Sequence, residues 1–503
     1  MASRSQEPDD TTTRWLFSGQ LGPLFDDGGR ILLIEAKSLI AGRPIHRAKA
    51  HLLLSALRHR ARELGDRCEY HRVDDYDEAL IATGGLHDRS DLEVVDPPSW
   101  AARRFVRSTG ARVLESRGFV TSEAVFREWA DARAGKRLLL DDFYRTVRER
   151  TGLLMEGDQP AGGRWNYDHD NRAAPPKGAV TLGLPEPWWP TEDDIDDEVR
   201  RDLDAWQADG SVQLVGDDGP RRFAVTAAEA EAALDDFIDV RLGDFGPFED
   251  ATLTGDWTMA HSLLSAPLNL GLLDPMAVVE RVAGEHTRGT APLASVEGFV
   301  RQITGWRDWV WHLYWYLGED YAVTRNALDA TTPLPEAFWQ LAPDAIEENC
   351  LHHAVDGVRR HGWAHHIQRL MVLGNWALQR GYDPAELNRW FIDMFVDGTP
   401  WVMPANVVGM SQHADGGIVA TKPYASGGAY INRMTDFCGG CRFTPSKRLG
   451  PDACPYTAGY WAFLDRNEGR LAGNHRMAQP LAGLRGLADR EAVVAQERER
   501  QSF

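Results

Sequence analysis

Four of the five cysteines in this 503-residue chain fall in its second half: Cys350, Cys438, Cys441 and Cys454. The last three form a C-x2-C-x12-C pattern within DFCGGCRFTPSKRLGPDACP. A two-residue gap turns two thiolates onto one metal, and Gly439 and Gly440 would relieve the backbone where amides face sulfur. Four thiolates suit zinc or an iron–sulfur cluster, and spacing alone leaves both open. Pro455, directly after Cys454, leans toward iron–sulfur. Cys350 stands 88 residues before Cys438, where a buried apolar cysteine is the competing reading. Cys68 falls in an expected strand and reads as core.

Two further stretches carry chemistry-bearing side chains. In WAHHIQR (363–369), His365 and His366 are adjacent, so they lie about 100° apart on a helix and do not share a face as metal-binding pairs at i and i+4 do. One faces a cleft while the other packs, and an imidazole in a cleft donates a proton near neutral pH. The chain also holds 18 tryptophans, several in WRDWVWHLYW (306–315). A buried helix explains that run, yet closely spaced indoles also relay single electrons and wall large apolar cofactors. The residues before it put Glu297, Arg301, Gln302 and Arg307 at helical spacing.

These residues need elements to hold them. RILLIE (30–35), CEYHRV (68–73) and LEVV (92–95) read as strands, and AKAHLLLSALRHRAREL (48–64) as a helix between the first two. That order predicts a parallel, Rossmann-like α/β sheet over 14–135, although no glycine-rich phosphate loop follows the first strand. Residues 1–13 read as a disordered N-terminus. Residues 136–225 read as linker and connecting helices, with 157–190 a Gly/Pro-rich loop packed across a domain surface. Residues 226–490 read as a mostly α-helical domain, with stripes at 228–240, 300–317 and 367–380. Residues 491–503 read as a polar tail or solvated helix.

Composition excludes other classes. The chain has 43% hydrophobic residues, and no apolar run is long enough to span a membrane. Five cysteines are too few for a secreted disulfide scaffold, and no signal peptide is evident. A cytoplasmic monomer is expected. The net charge of −20 disfavours a nonspecific nucleic-acid coat, but residues 186–250 hold 20 acidic and 5 basic side chains. The rest is close to neutral, so a basic groove elsewhere remains allowed.

The series of motifs is specific: SGQL (18–21), IHRAKAHLLLSALRH (45–59), PAGGRWNYDHDNR (160–172), HSLLSAPLNLGLL (261–273), SVEGFVRQITGWRDWVW, WAHHIQRLMVLGNWAL, and NVVGMSQHADGGIVATKPYASGGAYINRM before CGGC. In this order they resemble the photolyase/cryptochrome superfamily, closest to its iron–sulfur bacterial branch, the prokaryotic (6-4) photolyases. The resemblance implies an α/β antenna domain joined to a helical domain that binds FAD. It implies a [4Fe–4S] cluster on Cys350, Cys438, Cys441 and Cys454. Ser262, Ser265 and Asn269 match flavin phosphate and ribityl contacts, and Gln302 and Arg307 match the helix closing over the diphosphate. Arg369 and Asp397 match the ion pair beside the isoalloxazine ring. Met403 and Asn406 match positions around flavin N5, Trp390 a tryptophan relay, and Trp339 a further relay position. Gln20 and Glu35 match the site of a 6,7-dimethyl-8-ribityllumazine antenna. His366 matches the proton donor, with His365 as support, and Tyr424 and Lys422 match the edge that receives UV-damaged DNA.

The activity implied is light-driven repair of (6-4) photoproducts, for a protein that is nucleoid-associated when on DNA. Some positions depart from the pattern. Met403 replaces an acid or amide, and a thioether exchanges no proton with N5. Pro404-Ala405-Asn406 stands for LPN, Gly19 replaces an acid, and FWQLAPDAIEENC before the cluster carries extra residues. These departures are what an alternative, a cryptochrome-type photoreceptor with the same cofactors, would display. The adjacent histidines favour repair.

Overall fold

The computed structural model describes residues 12–500. Its first strands are β1 (Thr13–Leu16), β2 (Arg30–Ala36), β3 (Pro44–His46), β4 (Cys68–Val73), β5 (Leu92–Val95) and β6 (Arg112–Leu114). Five of them form one parallel sheet in the order β4-β2-β1-β5-β6. The helices α1 (Arg47–Leu64), α2 (Tyr76–Thr83) and α3 (Trp100–Thr109) cover it. Strand β2 is buried on both faces, as a strand between helical layers must be. Its Ile31 and Leu33 pack with Leu52 and Leu57 of α1, while Leu32 and Ile34 pack with Trp15, Leu80 and Val106.

Three strands fall where the apolar runs put them; β1 and β6 do not announce themselves. Arg14 breaks the apolar pattern of TRWL, yet it is buried because Glu93, at 3.1 Å, and Asp27 pair with it. Thr13 already pairs with Arg30 and Leu92, so the expected disordered N-terminus is over by that residue. Residues 1–11 of that segment lie outside the described ones. Strand β3 joins Gln213–Val215 in a separate two-stranded ribbon.

Two more helices, α4 (Glu123–Asp131) and α5 (Leu140–Thr151), lead out of the sheet, and α6 (Asp194–Ala208) returns to lie on α1. The acidic surplus is used there. Arg47 pairs with Asp204, Arg58 with Glu198 and Asp202, and Arg62 with Asp193 and Asp194. Part of the negative segment therefore fastens α6 to α1, while other acids of it, such as Glu231 and Asp235, stay exposed.

The Gly/Pro-rich stretch is fastened, as expected of a loop lying on a domain. Tyr167 N–H donates to Glu297 Oε2 at 2.8 Å, and Asn171 Nδ2 to the Ala294 carbonyl at 2.9 Å. Gly162 has φ +66°, and a Cβ there would sit 2.2 Å from the Tyr167 hydroxyl. Any side chain at that position would push the turn off the helix.

The helical half differs from the regular helices its periodicity predicts. Each of the three apolar stripes contains a π turn: Phe237–Arg241, Arg301–Arg307 and Gln368–Gly374, with a fourth at Ala405–Ser411. Such an extra residue rotates the following side chains and is frequent at functional sites. The C-terminal segment is also more than a polar tail. Arg490–Glu499 is a helix whose Val493 is buried, and its Glu497 pairs with Arg380 at 2.8 Å. Among the described residues, no helix is long and apolar enough to cross a membrane.

Candidate active site

Three of the π turns carry residues matched to the flavin, and one of them, through Arg369, reaches the loop after the helix Pro384–Met394. Asp397 is the centre of this arrangement. Arg369 meets it with both terminal nitrogens, at 2.9 and 3.0 Å, Ser265 Oγ donates to it at 2.7 Å, and Asn269 Nδ2 donates to its carbonyl at 3.0 Å. A buried carboxylate held this way is paired and its lone pairs are occupied, which is what makes its burial tolerable. The α/β domain braces the same loop from behind: Lys49 Nζ of α1 donates to the Gly398 carbonyl at 2.5 Å. The buried His, Arg and Lys residues of IHRAKAHLLLSALRH are thus interdomain struts.

The remaining flavin-matched residues divide. Gln302 Nε2 donates to Glu249 Oε1 at 2.6 Å, and Asn406 Nδ2 to the Val402 carbonyl at 2.8 Å, while Met403 is buried in the neighbouring apolar core. Arg307 points elsewhere. Its guanidinium donates to the Gly118 carbonyl at 2.7 Å and lies 4.5 Å from the Phe119 ring and 5.2 Å from the Trp401 ring, in a crevice shared by Asn269 and Gln20. Burial pulls its pKa down to about 10. Ser262 lies at a second crevice, beside His261 and Arg241.

The histidines occupy the positions expected from their spacing. His365 is buried, and its Nδ1 accepts from the Ile367 N–H at 3.1 Å, so its other nitrogen carries the proton and has no partner. Burial, then the charges of His261 and His366, drive its pKa well below the usual imidazole value. The His366 side chain is 45% exposed and sits 3.3 Å from Asp250 Oδ1. Burial opposes ionisation of Asp250, but the hydrogen bond and charge of His366 outweigh it and hold that carboxyl below the usual range. One histidine packs; the other faces out with a counter-ion.

The structure adds residues that linear reading missed. His261 lies with its ring 4.1 Å from His365 and 5.4 Å from His366, its Nε2 on the Glu249 carbonyl at 3.2 Å. Asp250 stands 116 residues before His366, hidden inside an acidic run. Only the HSLLS motif hinted at His261. Glu249 is buried, and desolvation pushes its pKa up to about 7 against the pull of Arg301 and His366. The folded state therefore holds a proton that the unfolded chain releases near 4.5, the ordinary value of a glutamate. Stability is fully retained below that value and falls as pH rises toward 7. Glu249→Gln should remove this slope, worth up to about 3 kcal/mol, and melting curves of both proteins across this range check it.

Tyr424 is 37% exposed at the same mouth, where burial raises its pKa and Asp168, Arg172, Arg476 and Asp250 act on it. Lys422 is exposed on the segment beside it. Arginine, lysine and an exposed aromatic ring beside a histidine cleft suit a phosphate backbone and a displaced base.

The four cysteines come together from separate elements. Cys350 lies in the first turn of Asn349–His361, Cys438 lies within the turn Phe437–Gly440 and Cys441 directly follows it, and Cys454 precedes Pro455–Arg466. All four pack on the core around Trp376 and Tyr456. Burial raises the Cys350 thiol well above its usual value, with Cys454, Cys438 and Cys441 adding, and pushes Cys438 up to about 12. Thiols so placed would stay protonated without a cation, so the site fits a metal cluster that neutralises them. The expected role of Gly439 and Gly440 does not hold. A Cβ at Gly439 would meet open space, whereas one at Gly428 would come within 2.7 Å of Cys454 Sγ. Close backbone approach to sulfur is needed at 428.

Trp390 is buried and donates to the Phe338 carbonyl at 2.8 Å. Its ring contacts among the described residues are Phe338, Phe391 and Phe395; Trp339 is half-buried at the edge of the same core. Gln20 donates to the Val95 carbonyl at 2.8 Å and lines the interdomain crevice. Glu35 faces the other side, bound to Arg58 at 2.6 and 2.9 Å and to Tyr70. The two antenna-matched residues do not share a partner.

A parallel-sheet domain braced against a helical domain, with a polar cradle, a histidine cleft and a four-thiol cluster, defines a two-domain cofactor protein. Residues 20–213 match the family of deoxyribodipyrimidine photo-lyase-related proteins. The chain is 42% identical over 454 residues to a protein of Agrobacterium fabrum named (6-4) photolyase, covering 87% of each. A crystal structure of a bacterial class III photolyase from Agrobacterium tumefaciens shares the fold, with TM-score 0.53 at 20% identity over 84% of each chain. A 54-residue stretch is 39% identical to an uncharacterized protein of Acanthamoeba polyphaga mimivirus. The chain belongs to the photolyase family.

Proposed function

We propose that this protein repairs (6-4) pyrimidine–pyrimidone photoproducts in DNA under light. The observation that carries this reading is the His365–His366–Asp250 arrangement at the mouth beside the Arg369–Asp397 cradle. It is supported by the identity to a relative named (6-4) photolyase. Ser265, Asn269, Arg369 and Asp397 would hold FAD, with Ser262, Gln302 and Asn406 as outer contacts, and the bound flavin would supply light-driven one-electron chemistry there. Arg369 keeps a fixed positive charge beside the ring, and the apolar wall around Met403 excludes water.

The (6-4) lesion needs a proton as well as an electron. His366 is the donor: it is open to the cleft, Asp250 Oδ1 lies 3.3 Å from its Nε2, and neutral His365 packs behind it. Lys422 and Tyr424 receive the strand at the cleft rim. A photodamaged pair is already poorly stacked, so moving it into the cleft costs little. Cys350, Cys438, Cys441 and Cys454 hold a [4Fe–4S] cluster, and its charge would allow the buried thiolates to form. A 6,7-dimethyl-8-ribityllumazine antenna, read at Gln20 and Glu35, would lie in the crevice by Gln20; Glu35 is left in its ion pair with Arg58.

Purified protein should carry flavin and bind a duplex containing one (6-4) lesion more tightly than the same undamaged duplex. Equal affinity for both would contradict a lesion-specific cleft.

A further inference from the structure

The last helix, Arg490–Glu499, is tied to the loop that joins two of the four cysteines. That loop, 442–453, runs from Cys441 to Cys454. Its base is pinned within itself: Thr444 N–H donates to the Asp452 carbonyl at 2.8 Å, and Cys454 N–H to the Lys447 carbonyl at 3.0 Å. Its tip is held by the helix. Arg448 Nε donates to Asp489, the residue before the helix, at 2.9 Å. Gly450 N–H donates to Gln496 Oε1 at 2.9 Å, and Gln496 Nε2 to the Arg448 carbonyl at 3.2 Å. Arg500, just past the helix, lies 5.9 Å from the ring of Phe443, the buried residue two past Cys441.

The helix itself is held by polar contacts more than by apolar area. Arg490 pairs with Asp465 at 2.7 Å and with Glu468 at 2.9 Å, and Glu497 pairs with Arg380 at 2.8 Å. Val493 is the apolar side chain it buries, while Ala492 and Ala495 are exposed. A terminal element with so little buried apolar surface opens locally at far lower cost than the whole fold. Four thiols around a cluster separate only if the chain carrying them moves. Cys350 and Cys438 stand on elements joined by Asn349 Nδ2, which donates to the Phe437 carbonyl at 2.7 Å. Between Cys441 and Cys454 lies the 442–453 loop, and that loop loses its outer hold once the helix lets go.

We infer that the last helix is a gate for the iron–sulfur cluster. Closed, it clamps the 442–453 loop and keeps the four cysteines together; open, it frees the loop so that a thiolate-capped cluster is taken up or given back by thiol exchange. The inference rests on the cluster reading proposed above. In uptake, each cysteine thiol displaces one capping thiolate: a Cys Sγ–Fe bond forms, the iron–thiolate bond to the cap breaks, and the thiol proton leaves with the cap. No electron moves, and the reverse exchange releases the cluster.

The test is anaerobic extraction of the cluster from purified holoprotein by excess thiophenol, followed by absorbance, beside amide hydrogen exchange of residues 442–453 and 490–499. In the wild type the two segments should exchange together. Asp489→Asn with Gln496→Ala cuts the helix from the loop and should speed extraction about tenfold. The same double variant should raise exchange in both segments while flavin content and the exchange of Asn349–His361 stay unchanged. Arg470→Ala, which breaks an ion pair with Asp329 away from the loop, should extract at the wild-type rate. A double variant whose helix opens but whose cluster leaves no faster would overturn the gate, as would a helix that stays protected without these contacts. Purified wild-type protein holding neither iron nor sulfide would instead refute the cluster reading beneath it.

Discussion

His366→Ala should abolish light-dependent repair of a (6-4) lesion, a fall of about 10²–10⁴-fold, while flavin absorbance stays unchanged. The reason lies in how the three histidines differ. His365 and His261 are both shifted down by burial, His261 to about 3, and so are neutral throughout the working range. His366 alone combines exposure with a carboxylate partner, Asp250 at 3.3 Å. A proton delivered to a base in the cleft therefore comes from His366, and alanine leaves no substitute within reach. His366 makes none of the polar contacts of the Arg369–Asp397 cradle, so flavin binding should survive. Asp250→Asn should lower repair less and shift its pH profile, because it weakens the counter-ion without removing the imidazole. Repair at the wild-type rate in His366→Ala would refute the proton-donor role.

The second large effect belongs to Cys350→Ala. Its thiol stands in the first turn of Asn349–His361, the helix whose Asn349 donates to the Phe437 carbonyl at 2.7 Å beside Cys438. Without that thiol the proposed cluster would lose one of its four ligands, leaving three thiolates in a core that does not solvate charge. Because ligand assembly and folding are one equilibrium at such a site, loss of the cluster is loss of folding free energy. The expected cost exceeds about 4 kcal/mol, within the range reserved for core disruption or metal loss. Iron and acid-labile sulfide should disappear together with a large drop in melting temperature. Cys68→Ala is the control: Cys68 begins β4, packs against the sheet core, and should leave the iron content unchanged. A Cys350→Ala protein with full iron content would remove Cys350 from the ligand set.

How far the sequence reveals this protein depends on the range of the interactions. The strands β2 and β5 were legible because a strand buried on both faces is mostly an apolar or β-branched run, whereas β4, CEYHRV, is a half-buried edge strand. Strand β1 was not, because Arg14 looks like a surface residue until Glu93, 79 positions away, is folded against it. The C-x2-C-x12-C pattern was legible because its cysteines are local, whereas Cys350 was joined to them only through family resemblance. The π turns left no trace in the apolar periodicity, since one extra residue shifts the pattern less than ordinary sequence variation does. His365 and His366 were visible as adjacent imidazoles, but their division into packed and open depends on His261 and Asp250, contributed by distant segments. The acidic run at 186–250 looked like a surface property, yet Asp193, Asp194, Glu198, Asp202, Asp204 and Asp218 pair with arginines of α1.

The measurement that tests the central claim most directly is repair of an oligonucleotide carrying one (6-4) lesion by purified, reduced protein. Restored thymines under blue light, and none in darkness, are the result this account predicts. Flavin-loaded protein with an intact cluster that leaves the lesion untouched in light would contradict it, and would assign the same cradle and histidine cleft to light sensing.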